Sequence, residues 1–507
     1  MIENILIGLN NVLSIQNIFA IFGGTVLGLF VGAMPGLSAT MAIALLLPLT
    51  FGMVPATGIS MLASLYLAAM YGGSIAAILL RTPGTPAAAA TIMDGYPLAA
   101  QGKAGKALGV SLVSSFIGGT ISAIGLMTIA PTLGMIVLEF GPVEMFSVAV
   151  LGITIIASLS QGSTIRGLFS GGLGLLLAMV GMDVTTGTPR FTYGMLNLFE
   201  GVPFTVALIG LFSIPQVIRL IQTDEQASKV ISKVTDRMLP TLAQFRHLLP
   251  NIFRSGVIGL FTGLIPGAGG DTACWFAYNE AKRFSKHKEK FGTGFIDGIA
   301  APEAANNAVV GGALVPTIAL GIPGSSSTAV LMGALMVHGI LPGPTLMTEY
   351  ADVTYTLIWA VLFANFSLLL VGLAFTRVSV YVTQIPNRVI APIIVVLCVI
   401  GSFAINNSVF DIGLMLIFGL VGYVFDRLRI PTAPMVLGLI LGPLLDGSLH
   451  QSLMIGDGSY LIFLKSPISA SLLTVAVLSI IQSTPAGFWL GRFFRAIFTR
   501  KRVGPTE

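Results

Sequence analysis

Four Pro-Gly dipeptides interrupt long apolar stretches of the sequence, and small residues, several with hydroxyl or acidic side chains, follow each of them. Proline ends an incoming helix, and glycine lets the backbone turn without a side chain. The outgoing half-helix begins with unpaired N–H groups and a Ser or Thr cap, and the positive end of its dipole can hold a carboxylate. Carbonyl groups freed by the break can bind Na⁺. The four turns are at residues 35–40, 83–86, 266–272 and 323–328.

A single Pro-Gly break could equally be a kink or a tight loop at the membrane surface. Breaks at corresponding positions of two halves favour a binding site, because paired broken helices are typical of transporters. We therefore predict that the turns supply both substrate ligands and cation ligands. The predicted substrate ligands at the turns are Pro35, Gly36, Ser38, Thr40, Gly84, Thr85, Gly267, Gly269, Gly324, Ser325 and Ser326. The predicted cation ligands are Gly267, Asp271, Thr272 and Ser327.

Polar residues within apolar stretches are further candidates, because they are costly in a membrane. Asp271 could bind Na⁺, carry a proton or cap a helix. Glu303 stands at a predicted helix start, where a carboxylate is favourable without any further role. Asn306 and Asn307 are predicted substrate ligands, with hydrogen bonding to a neighbouring helix as the alternative. Arg81, next to the second turn, could balance substrate charge or extend to the membrane interface.

The composition is that of a membrane protein. Of the 507 residues, 54% are hydrophobic and 9% are charged, whereas a soluble domain carries about a quarter charged residues. Apolar stretches recur from Phe19 to Phe494, which predicts about 10 to 13 transmembrane segments. Cys274 and Cys398 lie far apart in apolar segments, so no disulfide or thiolate metal site is expected. The sequence predicts an all-α polytopic membrane protein with hairpin or re-entrant elements.

The chain also contains an internal repeat. The motif at residues 28–36 is echoed at residues 259–267, with an offset of 231 between Pro35 and Pro266. The turn at Pro83 is echoed at Pro323, with an offset of 240. The order of the motifs is preserved, which indicates two related halves.

Loop charge distinguishes parallel halves from inverted ones. The loop at residues 51–57 has no Lys or Arg, while its counterpart at residues 282–290 is strongly basic. The next pair differs in the opposite sense, with Lys103 and Lys106 in the first half and no Lys or Arg at residues 338–352. By the positive-inside rule, corresponding loops lie on opposite sides of the membrane. This alternation predicts a two-fold inverted-topology repeat.

The same alternation places the basic C-terminus in the cytoplasm and makes residues 18–47 and 251–280 hairpins. The predicted organisation is a first membrane repeat at 1–222, a cytoplasmic linker at 223–250, a second membrane repeat at 251–491 and a basic cytoplasmic tail at 492–507.

The motifs of familiar enzyme classes are missing from the sequence. The four histidines are isolated, and no Gly-x-Ser-x-Gly, His-Glu-x-x-His or Walker A motif is present. No basic segment is large enough to form a nucleic-acid-binding domain. We therefore expect no enzyme activity, no nucleic-acid partner and no cofactor, with transport energised by an ion gradient or by another subunit.

At these motifs the sequence resembles the large membrane subunit of the tripartite tricarboxylate transporters, the TctA family. The resemblance runs over nearly the whole chain. The segments that carry it are residues 32–40 (GAMPGLSAT), 46–52 (LLPLTFG), 71–74 (YGGS), 264–270 (LIPGAGG) and 300–308 (AAPEAANNA).

The resemblance implies a multi-pass subunit of the bacterial inner membrane that imports citrate or another small carboxylate together with Na⁺ or H⁺. Its implied partners are a small TctB-like membrane subunit and a periplasmic TctC-like substrate-binding protein. A homo-oligomer is compatible with the sequence.

We therefore predict a secondary transporter that holds its substrate between the turns near the membrane midplane. Cation binding would create the charge environment that admits the carboxylate. One alternative is an ion-coupled carrier or channel for another small organic anion that works without a binding protein. A membrane scaffold without transport activity is a further alternative.

Overall fold

The structure is a computed structural model that describes residues 2–34, 36–159, 164–183, 187–222, 236–267, 269–383 and 385–482. Helices make up most of these ranges. In chain order they are α1 (Ile2–Val12), α2 (Ile15–Ala33), α3 (Ala39–Leu46), α4 (Pro55–Leu80), α5 (Ala89–Leu98), α6 (Ala104–Val137), α7 (Pro142–Leu159), α8 (Thr164–Ala178), α9 (Phe204–Gln222), α10 (Leu242–Leu264), α11 (Gly269–Phe284), α12 (Asp297–Leu320), α13 (Ser326–Val337), α14 (Thr345–Thr348), α15 (Ala351–Val382), α16 (Asn387–Asn406), α17 (Val409–Arg427), α18 (Ala433–Ile455), α19 (Ile462–Lys465) and α20 (Pro467–Gln482).

Strand structure is confined to one short hairpin in the part of the chain that the structure describes. Its strands, β1 (Gly181–Met182) and β2 (Pro189–Arg190), pair antiparallel. Tighter 3₁₀ turns occur at Leu47–Thr50, Pro86–Ala88, Leu196–Leu198 and Lys288–Lys290, and a π-helical turn occurs at Ala99–Lys103. The predicted all-α class is confirmed.

Eight helical stretches of the described chain are long and apolar enough to cross a membrane, for which about 20 residues are needed. They are Ile15–Ala33, Pro55–Leu80, Pro86–Val137, Phe204–Gln222, Ala351–Val382, Arg388–Asn406, Val409–Arg427 and Ala433–Ile455. Shorter apolar helices accompany them at Ala39–Thr50, Pro142–Thr154, Thr164–Ala178, Ser326–Val337 and Pro467–Ile480. The predicted polytopic membrane protein is confirmed.

The chain forms two compact units, which do not coincide with the two sequence repeats. Unit 1 comprises Met1–Glu139 and Pro203–Val424, and unit 2 comprises Phe140–Val202 and Phe425–Glu507. All four Pro-Gly turns belong to unit 1, so the motifs of both sequence halves contribute to one compact body.

Unit 1 contains two close helix crossings, α2 with α4 and α10 with α12. A Cβ on Gly28 of α2 would lie 2.3 Å from the carbonyl oxygen of Leu65 on α4. A Cβ on Gly259 of α10 would lie 2.4 Å from the carbonyl oxygen of Ala305 on α12. The two pairs are related by the sequence offsets of 231 and 240, so the internal repeat is also a repeat of packing. Small residues at such crossings let the two backbones approach closely.

The described end of the predicted linker is packed and partly helical. α10 begins at Leu242, inside the segment predicted as linker, and Thr241 and Gln244 cap it by exchanging two hydrogen bonds at 3.1 and 3.3 Å. The carboxylate of Asp236 accepts two backbone N–H groups at the start of α6 at 2.7 and 2.8 Å. Residues 223–235 lie outside the described residues, as does the predicted tail.

Unit 2 is organised around α18, which packs against α7 and α8. A Cβ on Gly174 of α8 would lie 2.0 Å from the carbonyl oxygen of Met435 on α18. Arg190 of β2 forms ion pairs with Asp183 and, at 3.0 Å, with Asp446 of α18. The ion pair with Asp446 links the hairpin to the middle of this helix.

Candidate functional site

The first turn joins α2 to α3. Gly36 has a φ of +85°, a conformation that suits glycine, and Ser38 is the N-cap of α3. The N–H of Met41 donates to the Ser38 hydroxyl at 3.2 Å, which confirms the predicted serine cap. Pro35 lies outside the described residues. Gln216 of α9 covers the turn, since a Cβ on Gly36 would lie 2.6 Å from its Nε2 atom.

The third turn joins α10 to α11 at the predicted break. α10 ends at Leu264, and Gly267 and Gly269 have φ values of +80° and +60°. Asp271 lies in the first turn of α11, where unpaired N–H groups favour a carboxylate. Thr272 follows it and is exposed at the surface of the helix. Of the two predicted cation ligands on α11, Asp271 is therefore the less exposed one.

The second and fourth turns follow α4 and α12. Thr85 precedes the 3₁₀ turn at Pro86–Ala88, and its buried hydroxyl has no hydrogen-bond partner among the described residues. Ser325 is the N-cap of α13, accepting the N–H of Thr328 at 3.2 Å and donating its own N–H to the Thr328 hydroxyl at 2.9 Å. Ser326 is the first residue of α13 and is partly buried. The predicted cap is confirmed at the fourth turn.

The fourth turn contacts both the third and the first. The N–H of Gly267 donates to the carbonyl oxygen of Gly324 at 2.9 Å. The hydroxyl oxygens of Thr40, at the start of α3, and Ser327, at the start of α13, are 2.9 Å apart. Motifs from both halves of the chain therefore touch directly.

The second turn and the residue after it contact α2 and α11. A Cβ on Gly84 would lie 2.2 Å from the carbonyl oxygen of Gly32, near the end of α2. A Cβ on Gly270 of α11 would lie 3.0 Å from the Cβ of Ala87. The structure thus brings all four turns together in unit 1.

Two buried polar side chains, from α4 and α12, face this meeting point. The hydroxyl of Tyr66 lies 3.2 Å from the hydroxyl of Ser325. The amide nitrogen of Asn306 donates to the carbonyl oxygen of Met70 at 3.1 Å. Its amide oxygen is buried without a hydrogen-bond partner among the described residues and lies 3.2 Å from where a Cβ on Gly270 would stand. Leaving a buried amide oxygen unpaired is costly, which marks this place as one for a ligand.

The sequence did not single out Tyr66, although a signal for it was present. Tyr66 and Asn306 are separated by the repeat offset of 240, so each half places one polar side chain at the same position of its central helix. Asp271 also lies within electrostatic range of the Tyr66 hydroxyl. Gln216 was missed as well, and it lies outside both repeated motifs, so no sequence signal identified it.

Two other candidates have different surroundings. Asn307 is fully buried, and neither of its amide atoms has a hydrogen-bond partner in the described part of the chain. Arg81 ends α4 in a left-handed conformation and is exposed, with its guanidinium 5.7 Å from the centre of the Tyr96 ring. This position favours the interfacial interpretation of Arg81.

The position of Glu303 in its helix differs from the predicted one. It was expected at a helix start, but α12 begins at Asp297 and places Glu303 inside the helix, because Pro302 is accommodated in the helix rather than starting it. The side chain is fully buried and accepts hydrogen bonds from hydroxyl groups on α4, α5 and α6. It therefore binds neighbouring helices and does not cap its own.

The arrangement at the turns suits a small anion and a small cation. The starts of α3 and α13 meet at hydroxyl-bearing residues, and helix starts with unpaired N–H groups favour anionic oxygens. Asp271 and the carbonyl groups freed at the breaks offer oxygen ligands for a cation. Among the described residues, no cluster of three or more His, Cys, Asp or Glu residues could hold a metal ion.

Known proteins resemble this chain over most of its length. Residues 18–437 match the model of the tripartite tricarboxylate transporter TctA family. An uncharacterised 52.8 kDa protein in the TAR-I ttuC' 3' region of Agrobacterium vitis is 36% identical over 481 residues, which cover 95% of this chain and 96% of that protein. A second uncharacterised protein, in the TAR-II ttuC' 3' region of the same organism, is 35% identical over 223 residues, or 44% of this chain and 92% of that protein. No solved structure matches the chain.

Proposed function

The chain belongs to the tripartite tricarboxylate transporter TctA family, and we propose that it is the large subunit that imports a tricarboxylate such as citrate, or another small carboxylate, by cation symport. In this proposal a periplasmic TctC-like protein delivers the substrate, and a small TctB-like subunit completes the complex in the bacterial inner membrane. The coupling ion is Na⁺ or H⁺, and the C-terminus is cytoplasmic.

The observation that supports the proposal is the meeting of four broken-helix turns around buried polar groups, of which the Thr85 hydroxyl and the Asn306 amide oxygen have no partner among the described residues. Ser325, Thr40 and Tyr66 offer hydroxyl groups there, and Asn306 offers an amide. Substrate carboxylates would accept hydrogen bonds from the hydroxyl and N–H groups at the helix starts. A cation would bind near Asp271, and its charge would offset that of the carboxylate.

The proposed transport cycle depends on an inverted relation between the halves. Matched packing of α2 on α4 and of α10 on α12 supports a structural repeat, and the alternating loop charge supports opposite orientations. In carriers built this way, one body rocks or shifts around a fixed site and exposes it to each side in turn.

The test is uptake of labelled citrate into proteoliposomes that contain the purified chain with its small subunit. Uptake should require a Na⁺ or H⁺ gradient and should be stimulated by the binding protein. Uptake that responds to neither would contradict symport and favour a channel or an independent carrier.

Single substitutions test whether the fourth turn binds the substrate. Ser325→Ala should raise the KM for uptake, because one hydroxyl at the fourth turn is lost. Ser452→Ala removes a buried hydroxyl of unit 2 that donates to the carbonyl of Ser448 within its own helix, and it should leave the KM unchanged. Equal KM values for both variants would remove the fourth turn from the substrate site.

A further inference from the structure

Glu303 is a fully buried carboxylate that is surrounded by four hydroxyl groups. Ser74 donates to Oε1 at 2.5 Å, and Thr91 donates to the same oxygen. Ser111 and Ser115 donate to Oε2 at 2.9 and 3.1 Å. These donors come from α4, α5 and α6, whereas Glu303 belongs to α12, so the oxygen cluster joins helices from both halves of the sequence.

The cluster has no positive charge of its own. Within the described ranges, no Lys, Arg or His forms an ion pair or a hydrogen bond with Glu303. Full burial disfavours the charged form of the Glu303 carboxylate, and the four hydroxyl donors favour it. An ionised carboxylate without a counter-charge is costly inside a membrane protein. A bound cation would supply the missing charge.

The neighbouring titratable groups do not supply that charge either. Tyr71 on α4 and Cys274 on α11 lie within electrostatic range of Glu303, and both are neutral or anionic groups. The Cys274 thiol donates to the carbonyl oxygen of Pro302 at 3.3 Å. Asp94 on α5 is acidic, and its carboxylate accepts the Tyr278 hydroxyl and three backbone N–H groups.

We propose that Glu303, Ser74, Thr91, Ser111 and Ser115 form a binding site for a small monovalent metal cation, with Na⁺ as the ion to test. Carboxylate and hydroxyl oxygens are the ligands that hard cations prefer, and one carboxylate neutralises one monovalent charge. The inference rests on the proposed transport function and adds a cation site to those predicted at the turns.

The hydroxyl groups of Ser74, Ser111 and Ser115 can adopt both roles that the proposal requires, because the carbonyl four residues earlier lies in the same helix. Without a cation they donate to the carboxylate. In a helix, a Ser or Thr hydroxyl can instead donate to the carbonyl oxygen four residues earlier. A hydroxyl that rotates in this way turns its lone pairs toward the carboxylate, where a cation would bind, and its proton stays hydrogen-bonded.

One of these alternative acceptors connects the cation cluster to the third turn. For Ser74 the carbonyl four residues earlier is that of Met70, which accepts the amide of Asn306 at 3.1 Å. Asn306 follows Glu303 by three residues and therefore lies on the same face of α12. Cation binding at Glu303 would thus place Ser74 and Asn306 in competition for one acceptor and change the position of the amide that faces Gly270.

The experiment measures Na⁺ binding to the purified full-length chain in nanodiscs, independently of transport. Equilibrium binding of ²²Na⁺ is combined with thermal unfolding in NaCl and in choline chloride at equal ionic strength. A cation that binds only the folded protein raises the unfolding midpoint in a saturable manner. The wild type should show this rise.

Two variants of the cluster and one matched control distinguish loss of the cation site from the general effect of removing a buried polar group. Ser111→Ala should lower Na⁺ affinity by about tenfold or more, the effect typical of losing a group that supports a metal site. Glu303→Gln should abolish binding, and Ser111→Ala keeps the test valid if that variant does not fold. Ser64→Ala removes another buried hydroxyl of α4, which donates to the carbonyl of Ser60, and should bind Na⁺ like the wild type.

Two results would overturn the cation site. The first is wild-type Na⁺ affinity in folded Ser111→Ala or Glu303→Gln. The second is stability that depends on pH through Glu303 but not on Na⁺, which would assign a proton to the site instead. The two proposals can fail separately, because Na⁺ binding is measured without transport. A chain that binds Na⁺ through Glu303 and moves no carboxylate would contradict only the transport proposal.

Discussion

Gly84 in the second turn has no room for a side chain, and Gly84→Ala is expected to disable transport. The new Cβ would lie 2.2 Å from the carbonyl oxygen of Gly32 and 2.7 Å from the Cα of Gly73. Contacts of a Cβ below 3.0 Å essentially do not occur, so the oxygen contact must open by about 0.8 Å. Both obstacles are backbone atoms at a helix crossing, which cannot rotate away as a flexible side chain would.

The expected losses of stability and of uptake rate follow from that displacement. Overpacking of a close-packed interior costs about 1–3 kcal/mol, so the thermal unfolding midpoint should fall. Misplacing a binding group by about 1 Å can slow turnover about 100-fold, and we expect a loss of that order in the initial rate of citrate uptake. The assay compares initial rates in proteoliposomes with equal amounts of inserted protein.

A matched control lies on α2. Gly23 has nothing within 4 Å of where its Cβ would stand, and alanine is the better helix former by roughly 0.5–1 kcal/mol. Gly23→Ala should therefore keep wild-type uptake and an equal or higher unfolding midpoint. A folded Gly84→Ala variant with a wild-type uptake rate would refute the requirement for this close approach. If Gly84→Ala does not fold, Gly270→Ala serves instead, because its closest contacts are at 3.0 Å and one of them is to the flexible end of the Met70 side chain.

Three further predictions concern buried polar groups. Asn306→Ala should raise the KM for uptake about tenfold. Asn251→Ala should not, because both atoms of that buried amide already have partners, the Asp297 carbonyl and the Arg254 guanidinium. Asp94→Asn replaces the carboxylate that accepts three backbone N–H groups, and hydrogen bonds to a charged group contribute about 1.5–3 kcal/mol each. Loss of these bonds should make residues 285–295 easier to cleave by a protease. An unchanged cleavage rate would contradict this prediction. Tyr66→Phe loses the contact with Ser325 and should raise the KM without changing the unfolding midpoint, and an unchanged KM would exclude a role in binding.

Several features could be derived from the sequence because they depend on local chemistry or on the bilayer. A Pro-Gly pair can end one helix and turn the chain into the next, and the breaks between α2 and α3 and between α10 and α11 fall at the predicted motifs. Ser38 and Ser325 were recognisable as caps because a serine directly before a helix can accept an orphan N–H group. The same local reasoning was wrong for Glu303, since it treated Pro302 as a helix start.

The division of the chain could not be derived in this way. The repeat boundaries at residues 222 and 250 stay a prediction about related segments of the sequence. The compact units are a different division, since each contains segments of both halves, and residues 140–202 and 425–507 form unit 2. Which helices pack together depends on the shapes of their surfaces and not on the order of the motifs.

The sequence by itself determined the membrane class, the four turns, the repeat and the family, because each depends on composition, spacing or matching residues. Only the tertiary structure decided which polar groups meet. Thr40 and Ser327 are 287 residues apart, and Ser74 and Glu303 are 229 apart. Their contacts depend on helix crossings that are set by small residues such as Gly28 and Gly259 on facing surfaces. Local pattern carries no information about such distant partners, so the surroundings of Asn306 and Glu303 became visible only when the helices were packed together.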